Sequence, residues 1–129
     1  MQERRINNDT RLIARYCEPF SGKQGHFCGY IEVPTDVVEA AILHPHDDSR
    51  HATDDITRKY PEFAGMFPGG ITFAKQVIPA FEPPYWLVGF DTEYYRDEYT
   101  DFADVWVRLG RIYQAMPLEV SNDQRRNVE

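Results

Sequence analysis

Nine prolines, at positions 19, 34, 45, 61, 68, 79, 83, 84 and 117, punctuate the chain and set where its elements can end. Proline offers no amide proton to a strand ladder or a helix interior, and it pushes the residue before it out of the α region. Between these stops, Arg11–Cys17 (RLIARYC) carries the β-branched and aromatic residues of a strand closed by Pro19. The turn chemistry of Ser21–Gly25 then leads into His26–Val33, where Phe27, Gly29, Ile31 and Val33 alternate with His26, Cys28, Tyr30 and Glu32. The two segments read as a hairpin that Pro34 stops. Asp36 and Glu39 have the form of a capping box opening a short helix through Val37, Val38 and Ile42, which ends before Pro45.

His44–Asp55 (HPHDDSRHATDD) reads as an exposed loop, followed by a short helical turn over Thr53–Tyr60 before Pro61. Pro68, Gly69 and Gly70 make a sharp entry into a strand over Ile71–Ile78. The proline-stiffened loop Pro79–Pro84 leads to Tyr85–Asp91 (YWLVGFD), apolar nearly throughout and therefore expected to be central and covered on both faces. Between Thr100 and Met116, Phe102, Val105, Trp106, Leu109, Ile112, Tyr113 and Met116 recur at spacings of three and four, which predicts an amphipathic helix. Thr100 or Asp101 can cap it, Asp104 stands four residues before Arg108 as an ion-pair partner, and Pro117 ends it.

These elements predict an α+β fold. It is a two-layer sandwich: an antiparallel sheet of about four strands, one long C-terminal helix across one sheet face, and short helices between the hairpins. Residues 1–10 read as a flexible arm, 11–117 as a single α+β domain and 118–129 as a polar tail. The expected core comprises Leu12, Ile31, Val33, Ile71, Phe73, Trp86, Val88, Phe90, Trp106, Leu109 and Ile112. A sandwich of this kind covers one face of its sheet, so a second copy is expected on the other.

Charge narrows the partners. Lys and Arg total 14 against 21 Asp and Glu, a formal charge of −7, which disfavours docking on nucleic-acid phosphates. Residues 1–10 have no apolar stretch and no run of 18 apolar residues occurs, so no membrane association and a cytoplasmic location are expected. Cys17 and Cys28 are too few for a disulfide framework, and each reads as a small buried hydrophobe. A bridge between them requires that the strands carrying them pair.

The segments Gly25-His26-Phe27-Cys28-Gly29-Tyr30 before Val33-Pro34, Gly69-Gly70-Ile71-Thr72-Phe73, and Trp86 leading into Gly89-Phe90-Asp91 resemble, in order and spacing, a family of small proteins encoded by tailed bacteriophages. The resemblance runs from Gly25 to Met116. It implies a phage accessory protein working in the cytoplasm of a bacterial host. Pro68 stands where that family usually has His, Leu87 where it has a second Trp, and Thr92-Glu93-Tyr94 where it has Cys-Ala-His; Asp91 and Asp97 are kept. The family's imidazoles are thus missing at these positions, and no catalytic residue is assigned.

Three constellations bear on chemistry. His44-x-His46 with Asp48 resembles the opening of a His-x-His-x-Asp-His zinc signature, with His51 nearby; Ser49 replaces the last His, and the large metallohydrolase fold does not fit in 129 residues. The tract reads first as solvated surface, leaving His44, His46 and His51 as weak metal candidates. Asp91, Glu93, Asp97, Glu98, Asp101 and Asp104 form an acidic run that favours a helix start and, where two carboxylates converge, could hold a divalent cation such as Mg²⁺. Tyr94, Tyr95 and Tyr99, in a charged segment, suit partner or ligand contact, whereas Trp86 suits the core. Antiparallel pairing should bring the Gly69-Gly70 turn beside the strand end at Asp91. The expected binding surface is therefore His26, Gly69, Gly70, Asp91, Glu93, Tyr94 and Asp97. The function expected is binding and inhibition of a host protein, or sequestration of a small signalling ligand, with no resident cofactor. The alternative is a small metal-dependent hydrolase acting on a nucleotide or phosphoester.

Overall fold

A computed structural model of the chain describes residues 1–6, 10–18, 24–43 and 49–117. In chain order the elements are β1 (Gln2–Ile6), β2 (Thr10–Cys17), β3 (His26–Val33), α1 (Thr35–Ala41), α2 (Ser49–Lys59), α3 (Pro61–Gly65), β4 (Phe73–Val77), β5 (Tyr85–Asp91), a 3₁₀ turn (Glu93–Tyr95) and α4 (Phe102–Gln114). The strands form an antiparallel five-stranded sheet in the order β1-β2-β3-β5-β4. The fold is α+β, as the segment pattern predicts.

The alternation in β3 explains the layering. Ile31 pairs with Leu12 and Val88, and Gly29 with Ala14 and Phe90, so these side chains share one face and are buried. All four helices add to the same cluster: Val37, Val38 and Ala41 of α1, Ala52 and Ile56 of α2, Phe63 of α3, and Val105, Leu109 and Ile112 of α4. Gly29 lets α4 settle close, because a Cβ there would stand 2.7 Å from the Phe90 ring and 3.1 Å from Val105.

The opposite face carries Ile13, Arg15 and Cys17 of β2, Cys28, Tyr30 and Glu32 of β3, Leu87 and Asp91 of β5, and Phe73 and Lys75 of β4. Among the described residues no helix lies on it. The apolar run of β5 is thus covered on one face rather than two, which leaves Leu87 half-buried.

Other expectations are corrected by tertiary contacts. Residues 2–6 are a fifth strand and not an arm, registered on β2 from Gln2↔Ala14 to Ile6↔Thr10, with Glu3 on Arg11 at 3.0 Å. Their polar sequence carries no alternation, and backbone pairing holds them. The second half of the expected 44–55 loop is helical: α2 starts at Ser49, four residues ahead of Thr53, because Ala52 and Ile56 face the core and buried Asp55 accepts the Leu43 amide at 2.8 Å. No capping box forms at α1; the Pro34 carbonyl takes the Val37 and Val38 amides, and Asp36 lies inside the first turn. β4 is shorter than Ile71–Ile78, since Ile78 precedes Pro79 and projects outward.

Asp101 caps α4 by accepting the Asp104 amide at 3.0 Å, while the Asp104 carboxylate turns back to the Thr100 amide at 2.9 Å. Arg108 donates to the Tyr99 hydroxyl at 3.1 Å instead of reaching for Asp104. Ile71, Phe73, Trp86 and Trp106 are half-buried and stand at the border of the core, whereas the other expected core residues are buried. Among the described residues no helix is long and apolar enough to cross a membrane.

Candidate functional site

β2 ends, β3 begins and β5 ends at the same border of the sheet. The ladder puts Cys17 opposite His26, and Cys28 opposite both Arg15 and Asp91. Cys17, His26, Cys28 and Asp91 therefore share the uncovered face by the period of two along each strand. The ligand atoms of Cys17, His26 and Cys28 all lie within 4.8 Å of one another, and the two sulfurs are 3.0 Å apart. Both cysteines are free thiols.

The backbone beneath this cluster is pinned by Thr92, which is fully buried. Its amide and hydroxyl donate to the Phe27 carbonyl at 3.0 and 2.8 Å, and its hydroxyl oxygen accepts the Phe27 amide at 3.2 Å. Phe27 sits between His26 and Cys28, so one threonine fixes the strand that carries both. Burial pushes the Cys28 thiol up to about 12, with the hydrogen bond and charge of Cys17 and the charge of Asp91 adding to it. Burial raises the Tyr30 phenol to about 12 as well, helped by Cys28 and Cys17.

Beyond Asp91 the chain turns sharply. Asp91 Oδ1 accepts the Glu93 amide at 3.2 Å, and the Tyr95 amide donates to the Thr92 carbonyl at 2.8 Å. This turn projects Tyr94 into solvent at 88% exposure. Glu93, Tyr94, Arg96 and Asp97, with Gln24, line an open depression of about 440 Å³; a second, of about 570 Å³, shares Gln24, Arg96 and Asp97 and adds His26 and Tyr16. Arg96 bridges this border by donating to the Gln24 carbonyl at 3.4 Å.

Of the expected binding residues, His26, Asp91, Glu93, Tyr94 and Asp97 all stand at this sheet border. Gly69 reaches it through Tyr95, whose ring would lie 3.2 Å from a Cβ at that position. Gly69 and Gly70 have φ of 73° and 90°, conformations open to glycine, and the Gly70 amide donates to the Phe67 carbonyl at 2.8 Å to close the turn. Gly70 has open space beside it.

The metal candidates of the sequence divide differently. His44 and His46 lie outside the described residues, and His51 is exposed on α2. Among the described residues Asp91, Glu93 and Asp97 do not converge as a ligand set; Cys17, His26 and Cys28 do. Cysteine spacing alone does not reveal that set, since the thiols are eleven residues apart in no recognised pattern. Its signal is the hairpin register, which turns two polar slots of neighbouring strands toward each other. No family model, curated protein or solved structure matches the chain.

Proposed function

We propose that this chain is a non-catalytic accessory protein that binds and inhibits a protein of a bacterial host, in the manner implied by its resemblance to small tailed-phage proteins. The observation that carries the reading is Tyr94, held 88% exposed on a short turn pinned by Asp91 and Thr92, above a depression rimmed by Glu93, Arg96 and Asp97. An exposed aromatic on a hydrogen-bonded turn, among charged residues, has the composition of a protein-binding anchor, because a flat side chain contributes contact area with little rotamer entropy to lose. The openness of the depression favours a protein over a small ligand, since small-molecule sites enclose most of their ligand's surface.

Tyr94→Ser combined with Asp97→Asn tests this reading without touching the thiols or His26. Immobilised wild-type chain should capture a discrete protein from host lysate, and the folded double variant should lose it. Identical capture by both, or divalent-cation-dependent phosphoester hydrolysis by the wild type, overturns the reading.

A further inference from the structure

We propose that Cys17, His26 and Cys28 form a transition-metal site that takes Zn²⁺ through two thiolates and an imidazole, independently of the partner-binding reading. Three observations converge on it.

The first is geometry. The three ligand atoms lie within 4.8 Å of one another; Cys28 is buried, while Cys17 and His26 are half-buried at the end of the sheet face that no described helix covers, which gives an ion a way in. Zn–S bonds of about 2.3 Å in a tetrahedron separate two sulfurs by roughly 3.8 Å, so the observed 3.0 Å needs only a small rotamer opening to admit the ion.

The second is register, which brings the three ligands together from two neighbouring strands. Cys17 stands opposite His26, so Cys28 is its diagonal neighbour. Both cysteines and the histidine thus lie on one face of a registered hairpin. Two sulfurs that lean together from such positions are placed to share an ion.

The third is support and charge. Thr92 grips Phe27 through its amide and hydroxyl, which holds the backbone between two of the ligands. Two thiolates neutralise Zn²⁺, so the half-buried site gains no net charge, and both thiol protons leave for solvent on binding. Three protein ligands leave one tetrahedral position for water. Thiolate and imidazole donors select Zn²⁺ over Mg²⁺ or Ca²⁺.

The test uses the full chain, reduced, stripped of metal and kept anaerobic. Titration with Co²⁺ should give thiolate-to-cobalt charge-transfer and tetrahedral d–d absorption that saturates at one equivalent and is displaced by Zn²⁺. Zn²⁺ affinity, measured by competition with a chromophoric chelator, should fall by more than about tenfold in Cys17→Ser and in His26→Ala. Both residues are only half-buried, so these variants keep the fold, which circular dichroism verifies; Cys28→Ala serves as a third. Absence of the charge-transfer band overturns the proposal, as does an affinity unchanged in folded Cys17→Ser. It is also overturned if air converts the pair quantitatively to a disulfide despite excess Zn²⁺.

Discussion

Trp106 belongs to the apolar stripe of α4, yet it sits at the border of the core, where its Nε1 donates to Gln2 Oε1 at 3.0 Å and the Arg4 guanidinium lies 4.4 Å from the ring centroid. Full burial would put the loss on truncation at roughly 3–5 kcal/mol. Half-burial plus a surface cation–π contact puts Trp106→Ala at about 1–2 kcal/mol instead. Urea denaturation of the variant checks this, and a loss of roughly 3–5 kcal/mol would place the indole deeper than described. Cys17 and Cys28 make the same point about single residues. Each occupies a polar slot of an alternating strand, and only the neighbour across the ladder tells whether it is an isolated thiol or half of a pair.

At the scale of elements, α4 shows how a local signal becomes a pH-sensitive device. The Thr100 amide, with its hydroxyl and Asp101, holds the Asp104 carboxyl below its ordinary value of 3.8. A carboxyl depressed in the folded chain contributes stability above its unfolded value and loses that contribution as pH falls through the folded one. Acidification below 3.8 should therefore shift the urea midpoint of the wild type more than that of Asp104→Asn. Equal shifts would mean that the reciprocal cap does not form in solution. The capping residues of α4 were legible because an N-cap acts within four residues of sequence. The start of α2 was not, since the polar run before Thr53 becomes helical only because Ala52 and Ile56 find the core.

For the molecule as a whole, the described helices all sit on one side of the sheet, and among the described residues no helix covers the other. Ile13, Tyr30, Phe73 and Leu87 stand half-buried on that face, Tyr30 and Phe73 packed edge to face at 5.2 Å between ring centroids. Charges of both signs surround them, Arg15 and Lys75 beside Glu32 and Asp91, a mixture that can complement itself across a two-fold axis. A dimer of this chain is the expected state. Gel filtration with light scattering at micromolar concentration checks it: a monomer removes the second copy from this face, and a dimer dissociated by Leu87→Lys assigns it there.

The sequence alone determined the α+β class, the β2–β3 hairpin, the apolar β5 and the capped helix α4, because strand alternation, helical periodicity, caps and proline stops all act within a few neighbouring residues. It also set the Gly69-Gly70 turn beside Asp91, through the argument that antiparallel pairing places a strand start beside a strand end, within an expected surface that includes His26, Glu93, Tyr94 and Asp97. Only the tertiary structure decided that Gln2–Ile6 pairs as a fifth strand and that, among the described residues, helices cover β5 on one side alone. It alone set Trp86 and Trp106 at the border of the core and converged Cys17, His26 and Cys28. Periodicity says which side of a segment is apolar but not what that side meets, and a cross-strand neighbour is fixed by the register of two segments, which no single segment encodes.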